Sequence, residues 1–164
     1  MNGAIAMAQL MTPIGVVILS ADGRHLLSMK IKATGQHANV TGHALLKEAL
    51  AQLESWFFGK RCDFNLPLAA ATSDEAGKLR AAIAAIPYGR TQTYGAVARQ
   101  LVSAARAVGQ ACKTNPYPII IPCHRVVSTQ GPEYYSAGQG ARTKDWLLDF
   151  ESSHLPSDQR TRLI

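Results

Sequence analysis

Ile119-Ile120-Ile121-Pro122-Cys123-His124-Arg125-Val126-Val127 sets a thiol, an imidazole and a guanidinium in the middle of an apolar run. Apolar residues on both sides predict a buried strand or an extended core segment. Three polar groups inside such a run are costly to bury unless each has a partner or a task. Pro122 fixes the backbone just before the cysteine, and Pro116 and Pro118 stiffen the approach. Cysteine reacts as its thiolate, which a neighbouring base or positive charge favours. The stretch reads as a rigid mount for a nucleophile.

Outward from it, Thr114-Asn115-Pro116 ends a helix predicted over residues 104–113. One face of that helix is small (Ala104, Ala105, Ala107, Gly109, Ala111), and Arg106 stands near its start. A small face allows close approach to another surface, and one long cation among small residues suits entry into a groove. Close helix–helix packing beside a solvated arginine is the reading the segment alone favours. Thr93 is placed to cap a preceding helix over residues 94–101, with Val97 and Leu101 inward. Val102-Ser103 reads as a tight turn with Ser103 as the next N-cap. Two short helices joined by such a turn predict a helix-turn-helix. Before them, Thr72-Ser73-Asp74-Glu75 opens a helix with Thr72 and Glu75 spaced as a capping box, and Leu79, Ile83 and Ile86 on its buried face.

On the other side, residues 134–140 are a polar loop. A last helix starts near Ala141 and carries Trp146, Leu147, Leu148 and Phe150. Glu151 falls on the side of Leu147 and Leu148, where a carboxylate needs a partner. Residues 152–164 read as a polar tail.

The first half is plainer. Residues 14–20 and 25–31 are strand-like runs around Ala21-Asp22-Gly23-Arg24, which predicts a hairpin. Residues 33–42 form a polar loop. Leu46, Leu50, Leu53 and Phe57 recur at helical spacing up to Gly59. Phe64, Leu66 and Leu68 alternate around Pro67, as in a short edge strand. No cluster of catalytic residue types occurs here, which suggests a structural role. The junction at residues 69–72 suggests domains of 1–70 and 71–164.

With 47% hydrophobic and 17% charged residues in 164, the composition is that of a globular chain. The formal net charge of +6 favours an anionic partner, nucleic acid first, although many soluble proteins are simply basic. Three widely spaced cysteines, Cys62, Cys112 and Cys123, are no disulfide framework and suit a reducing compartment. No zinc-like spacing of ligands is present, so no metal is expected. The residues up to Met11 make a poor signal peptide, and no apolar run spans a bilayer, so the expected location is cytoplasmic, away from membranes.

Cys123, His124 and Glu151 suggest a nucleophile, a base and the group that orients the base. Neighbours on an extended segment point opposite ways, so a water would have to relay the proton between Cys123 and His124. Taken singly, each has a bland reading: an inert buried cysteine, a hydrogen-bonded core histidine, a glutamate paired with a nearby lysine or arginine. Their combination inside one apolar run weakens those readings.

Pro122-Cys123-His124-Arg125-Val126 resembles the signature of the O6-alkylguanine-DNA alkyltransferases (methylated-DNA–protein-cysteine methyltransferases). The likeness extends, in the family's order, through Ile86-Pro87-Tyr88-Gly89, Thr93-Tyr94-Gly95, Arg106-Ala107-Val108-Gly109, Asn115-Pro116, Tyr135-Ser136-Ala137-Gly138 and Trp146-Leu147-Leu148 with Glu151. In the first half it is limited to Pro13-Ile14-Gly15, the hairpin and Trp56-Phe57-Phe58-Gly59.

The resemblance implies an α/β (α+β) fold: a small antiparallel sheet with a helix, RNase H-like, followed by a mostly helical domain with a winged helix-turn-helix. It implies a monomeric DNA repair protein that needs no cofactor. Cys123 would take the alkyl group irreversibly from a flipped O6-alkylguanine in double-stranded DNA, less readily from O4-alkylthymine. Cys123, His124, Glu151 and Asn115 would be the catalytic set. Tyr94, Val126, Tyr135 and Ser136 would bind the base, and Tyr94, Gly95, Ala105, Arg106 and Thr129 would contact DNA, with Arg106 filling the vacated stack.

The chain departs from the family in a shorter turn before Arg106, in the helix opening at Ser73-Asp74-Glu75, and at Gln139-Gly140. Other readings remain at this stage. They are a damage-binding relative without an acceptor (which Cys123 argues against), a thiol hydrolase or acyltransferase, and a helix-turn-helix regulator with an inert cysteine.

Overall fold

The computed structural model describes residues 4–35, 42–129, 135 and 137–155. The fold is mixed α/β, with a three-stranded antiparallel sheet and five α-helices among the described residues. The chain divides into two compact units, Met1–Ala70 and Ala71–Ile164. No described helix is long and apolar enough to cross a membrane.

In the first unit, strands β1 (Ala6–Thr12), β2 (Gly15–Ala21) and β3 (Leu26–Lys32) pair in sequence order. Central β2 is buried along almost its whole length, and Val17, Leu19 and Ala21 have no exposed surface. Helix α1 (Ala44–Phe57) packs on β1 and β2. It turns Leu46, Ala49, Gln52, Leu53 and Trp56 inward, so Leu50 and Phe57 sit at the margin of the predicted stripe. The hairpin between β2 and β3 is closed by the Asp22 carboxylate, which accepts from the Arg24 and His25 amides at 2.7 Å each. Gly15 is required at the β1–β2 turn: its φ is 118°, and a Cβ there would lie 2.6 Å from the Lys32 carbonyl oxygen.

In this half one element was not foreseen and one reading needs correction. Strand β1, from Ala6 to Thr12, was not signalled by the sequence. Its Ala-Met-Ala-Gln run has weak strand propensity, and pairing with β2 makes it a strand. The segment around Pro67 is no strand: only an isolated parallel bridge joins Leu68 to Leu26. The Pro67 carbonyl accepts from Leu26, but proline has no amide to continue a ladder.

The second unit carries α2 (Asp74–Ala84), strand β4 (Gln92–Thr93), α3 (Tyr94–Gln100), α4 (Ala105–Lys113), a single 3-10 turn at Cys123–Arg125, strand β5 (Val126–Val127) and α5 (Ala141–Ser153). The parallel pair β4–β5 sets Gln92 against Val126 and Thr93 against Val127. Thr93 caps α3 as read, accepting from Ala96 at 3.1 Å. The other two caps move by one residue. Ser73, not Thr72, accepts from Ala76 at 3.1 Å. Ala104, not Ser103, is the N-cap of α4, with no side-chain bond.

The supposed extended run before Val126 is also not a strand. Ile119 has φ 75°, and Cys123 to Arg125 form the 3-10 turn. The end of the described chain is not a loose tail, because α5 runs on to Ser153 and Leu155 is buried against Gly89. Gly89 has φ 76°, and a Cβ there would lie 2.5 Å from Leu155.

The cap assignment has a direct test. Ser73→Ala is expected to cost about 1 kcal/mol in chemical denaturation, whereas exposed Thr72→Ala should stay within about 0.5 kcal/mol of wild type.

Candidate active site

Cys123 is held by its neighbours' backbone geometry. Pro122 lies at φ −79°, ψ 63°, and the Cys123 amide donates to the Ile121 carbonyl at 2.7 Å, an inverse γ-turn. The Arg125 amide then donates to Pro122 at 2.9 Å, closing the 3-10 turn. Asn115 spans the loop: its Nδ2 donates to the Ile121 carbonyl at 2.9 Å and to Cys123 Sγ at 3.2 Å, while its Oδ1 accepts from the Tyr117 amide at 2.9 Å. One side chain thus braces the loop and touches the sulfur.

Because Cys123 and His124 stand on a turn, the alternation expected of an extended segment does not govern their directions. His124 is fully buried, and its Nε2 lies 2.7 Å from Glu151 Oε2. Arg125 donates to the same carboxylate from Nε at 2.9 Å and from Nη2 at 2.8 Å, and its Nη1 donates to the Ile86 carbonyl at 2.7 Å. The Gly89 amide also donates to Glu151, at 3.1 Å. Both sequence readings of Glu151, partner of histidine and partner of arginine, therefore hold together.

Burial pushes the Glu151 carboxyl up, but the hydrogen bonds and charges of His124 and Arg125 outweigh it and bring it down to about 2. Burial lowers the His124 imidazole, against the pull of Glu151. A neutral His124 facing an ionised carboxylate carries its proton on Nε2, leaving the lone pair on Nδ1. Buried Nδ1 has no hydrogen-bond partner among the described residues. Burial raises the Cys123 thiol, and the Asn115 hydrogen bond and the Lys144 charge offset part of that. At rest the pair is thiol and neutral imidazole, with Nδ1 as the open basic position. Cys112 is pushed up to about 12, first by burial and then by the nearby Cys123.

The remaining expected site residues divide as follows. Tyr94, Gly95, Ala105 and Thr129 share the walls of one cleft of about 440 Å³. Arg106 is exposed on α4 and does not line that cleft. Val126 is buried, and its carbonyl accepts from Lys144 Nζ at 2.7 Å. Tyr135 is 5% exposed, and burial raises its hydroxyl well above the usual range, with Cys123 adding to the shift. That hydroxyl couples electrostatically to the Cys123 sulfur without meeting hydrogen-bond geometry. Ser136 lies outside the described residues.

Three residues were missed. Arg125 was seen as a costly guanidinium but given no role. Lys144 is 1% exposed, with Nζ 5.8 Å from the centre of the Tyr94 ring. Its spacing to buried Leu147 and Glu151 is helical, and that pattern could have placed it inside. Arg99 lines the cleft beside Tyr94, and nothing in the sequence distinguished it.

Residues 76–153 match the family model for the DNA-binding domain of 6-O-methylguanine DNA methyltransferase. The methylated-DNA–protein-cysteine methyltransferase of Methanosarcina acetivorans is 34% identical over 149 residues, covering 87% of this chain and 95% of the relative. The crystal structure of Mycobacterium tuberculosis O6-methylguanine methyltransferase superposes with a TM-score of 0.81 at 31% identity, covering 95% of this chain and 98% of that one. A crystal structure of M. tuberculosis OGT in complex with DNA superposes with a TM-score of 0.75 at 32% identity, covering 94% and 97%. Fold and site together define a DNA-binding protein built around a buried cysteine. The chain belongs to the methylated-DNA–protein-cysteine methyltransferase family.

The Glu151 cluster makes stability acid-sensitive with a definite sign. The folded carboxyl sits below its ordinary 4.5, so the unfolded chain takes up the proton first. The stabilisation is complete above 4.5 and fades as pH falls toward about 2. Over that window wild type should lose on the order of 3 kcal/mol. Lowered His124 acts with the same sign, starting at its ordinary 6.5. Glu151→Gln, which leaves buried Arg125 without a counter-charge, should cost about 3–5 kcal/mol at neutral pH and abolish the carboxylate part of the acid dependence in denaturation curves.

Proposed function

We propose that this chain repairs duplex DNA by rotating O6-alkylguanine out of the helix and moving the alkyl group irreversibly to Cys123, once per molecule. O4-alkylthymine is a poorer substrate. The observation that carries the reading is the Asn115–Cys123 contact beside a neutral His124 locked by Glu151.

An exocyclic carbon inside the stack is closed to in-line attack, so the base must leave it. The Cys123 proton passes through a water to His124 Nδ1, and the imidazolium is stabilised by the ionised Glu151. The thiolate then attacks the alkyl carbon. An S–C bond forms as the C–O6 bond breaks, and guanine leaves with the bonding electron pair as an anion, which is neutralised by the proton that Cys123 gave to His124, returned through water. Tyr94 donates a hydrogen bond to N3, Val126 faces the exocyclic amine, and Tyr135 and Ser136 bind near O6. The thioether product has no leaving-group chemistry to regenerate the thiol, so the protein is consumed.

Gly95, Ala105 and Thr129 contact the DNA backbone, and Arg106 occupies the gap in the stack. Helices α3 and α4 act as a winged helix-turn-helix, and the first unit, RNase H-like, is a structural support. The protein acts as a monomer in the cytoplasm, without a cofactor.

Intact-mass measurement after incubation with a duplex holding one O6-methylguanine tests the reading. Wild type should gain the mass of one methylene, localised to Cys123, and Cys123→Ser should gain nothing. His124→Ala should transfer more slowly by about 10²–10⁴. A wild-type mass that never changes would sink the proposal.

A further inference from the structure

Helix α3 ends in a specific hydrogen-bonded form. The Ser103 amide donates to the Ala98 carbonyl at 2.9 Å, and the Val102 amide donates to the Arg99 carbonyl at 3.4 Å. These are the paired 6→1 and 5→2 bonds of a Schellman motif, with Leu101 as the C-cap and Val102 at C′. That position takes a left-handed backbone, and Val102 has φ 52°. Glycine or asparagine adopts it readily, whereas a β-branched residue is strained there. The side chain gains nothing from packing in return, being 97% exposed. Ile119, the other left-handed β-branched residue described, differs in the decisive respect: it is 1% exposed, and the core that covers it maintains its conformation.

An exposed apolar side chain on a strained backbone has no purpose within the folded chain, and such strain gathers at sites of contact. The position of Val102 says what the contact is. Arg99 and Ala105, three residues to either side, line the cleft that also holds Tyr94, Gly95 and Thr129. Exposed Arg106 follows one residue after Ala105. The turn is therefore the rim of the surface assigned to DNA.

We propose that Val102 is a DNA contact, an apolar knob that packs against the sugar edge of the bound duplex. This rests on the DNA-binding reading above. The deoxyribose carbons are the apolar part of the duplex's outer surface. The strained turn raises the valine toward them, where a glycine would present only backbone.

The test is duplex affinity across a salt series for Val102→Gly and Val102→Asn, with thermal midpoints measured in parallel. Both variants should raise Kd by about three- to tenfold, the effect of losing a partly buried valine. The slope of log Kd against log salt should not change, since no phosphate charge is involved. Val102→Asn, which relieves the backbone, should keep or raise the midpoint. Arg106→Ala, run alongside, should weaken binding and, by removing a cation from the interface, make the slope shallower.

Wild-type affinity in both variants overturns the proposal. A loss of affinity matched by a fall in midpoint in both variants also overturns it, because the effect is then on the fold. Failure of wild type to bind duplex at all removes the DNA reading itself, an outcome distinct from the first two.

Discussion

Glu151 is a carboxylate with no exposed surface, and it is reached by the imidazole and guanidinium of neighbouring His124 and Arg125 and by the distant Gly89 amide. Arg125 continues from it to the Ile86 carbonyl. A single charge on α5 therefore ties together the end of α2, the turn at Gly89 and the 3-10 turn that carries Cys123. The desolvation cost of such a cluster is comparable to its attraction, so its main yield is geometry rather than net stability. The bidentate guanidinium fixes the carboxylate, and the carboxylate fixes which nitrogen of His124 holds the proton. The state of the imidazole is thus set by two residues that make no hydrogen bond to the sulfur.

The resting state is as informative as the reacting one. Burial keeps Cys123 protonated and His124 neutral, so the thiol is unreactive until something shifts the balance. Oxidants attack thiolates, so a cysteine held as a thiol is protected from them. Asn115 and Lys144 supply partial stabilisation of the anion in advance. The loop they help to hold also contains Ile119 in a left-handed conformation, a strain that the surrounding core maintains.

Much of this was readable from local pattern. The Thr93 cap and the two short helices with their tight turn depend on features a few residues apart. The errors also have local causes. Ser73 and Thr72 are both plausible caps by residue type, and Ser103 is a better one than Ala104, yet the helices start where the backbone turns, one residue later in each case. An apolar run shows no periodicity, so Ile119 to Val126 did not reveal that it turns rather than extends. Strand β1 exists because β2 pairs with it, which no property of Ala6–Thr12 alone announces.

By itself the sequence determined the chemical cast: a cysteine, a histidine and an arginine set in an apolar mount, a glutamate on the inner side of a helix, and capped helices ahead of them. Residue identity and short spacing carry that information, because local propensity and burial preference act over a few residues. Tertiary structure alone decided how the cast is joined. It gave one carboxylate to both His124 and Arg125, turned the Lys144 ammonium onto the Val126 carbonyl, and set Asn115 on the sulfur. Those bonds link groups as far as 27 residues apart along the chain, and the Gly89–Glu151 bond spans 62. Contacts of that range are fixed by the packing of whole elements, which no local spacing encodes.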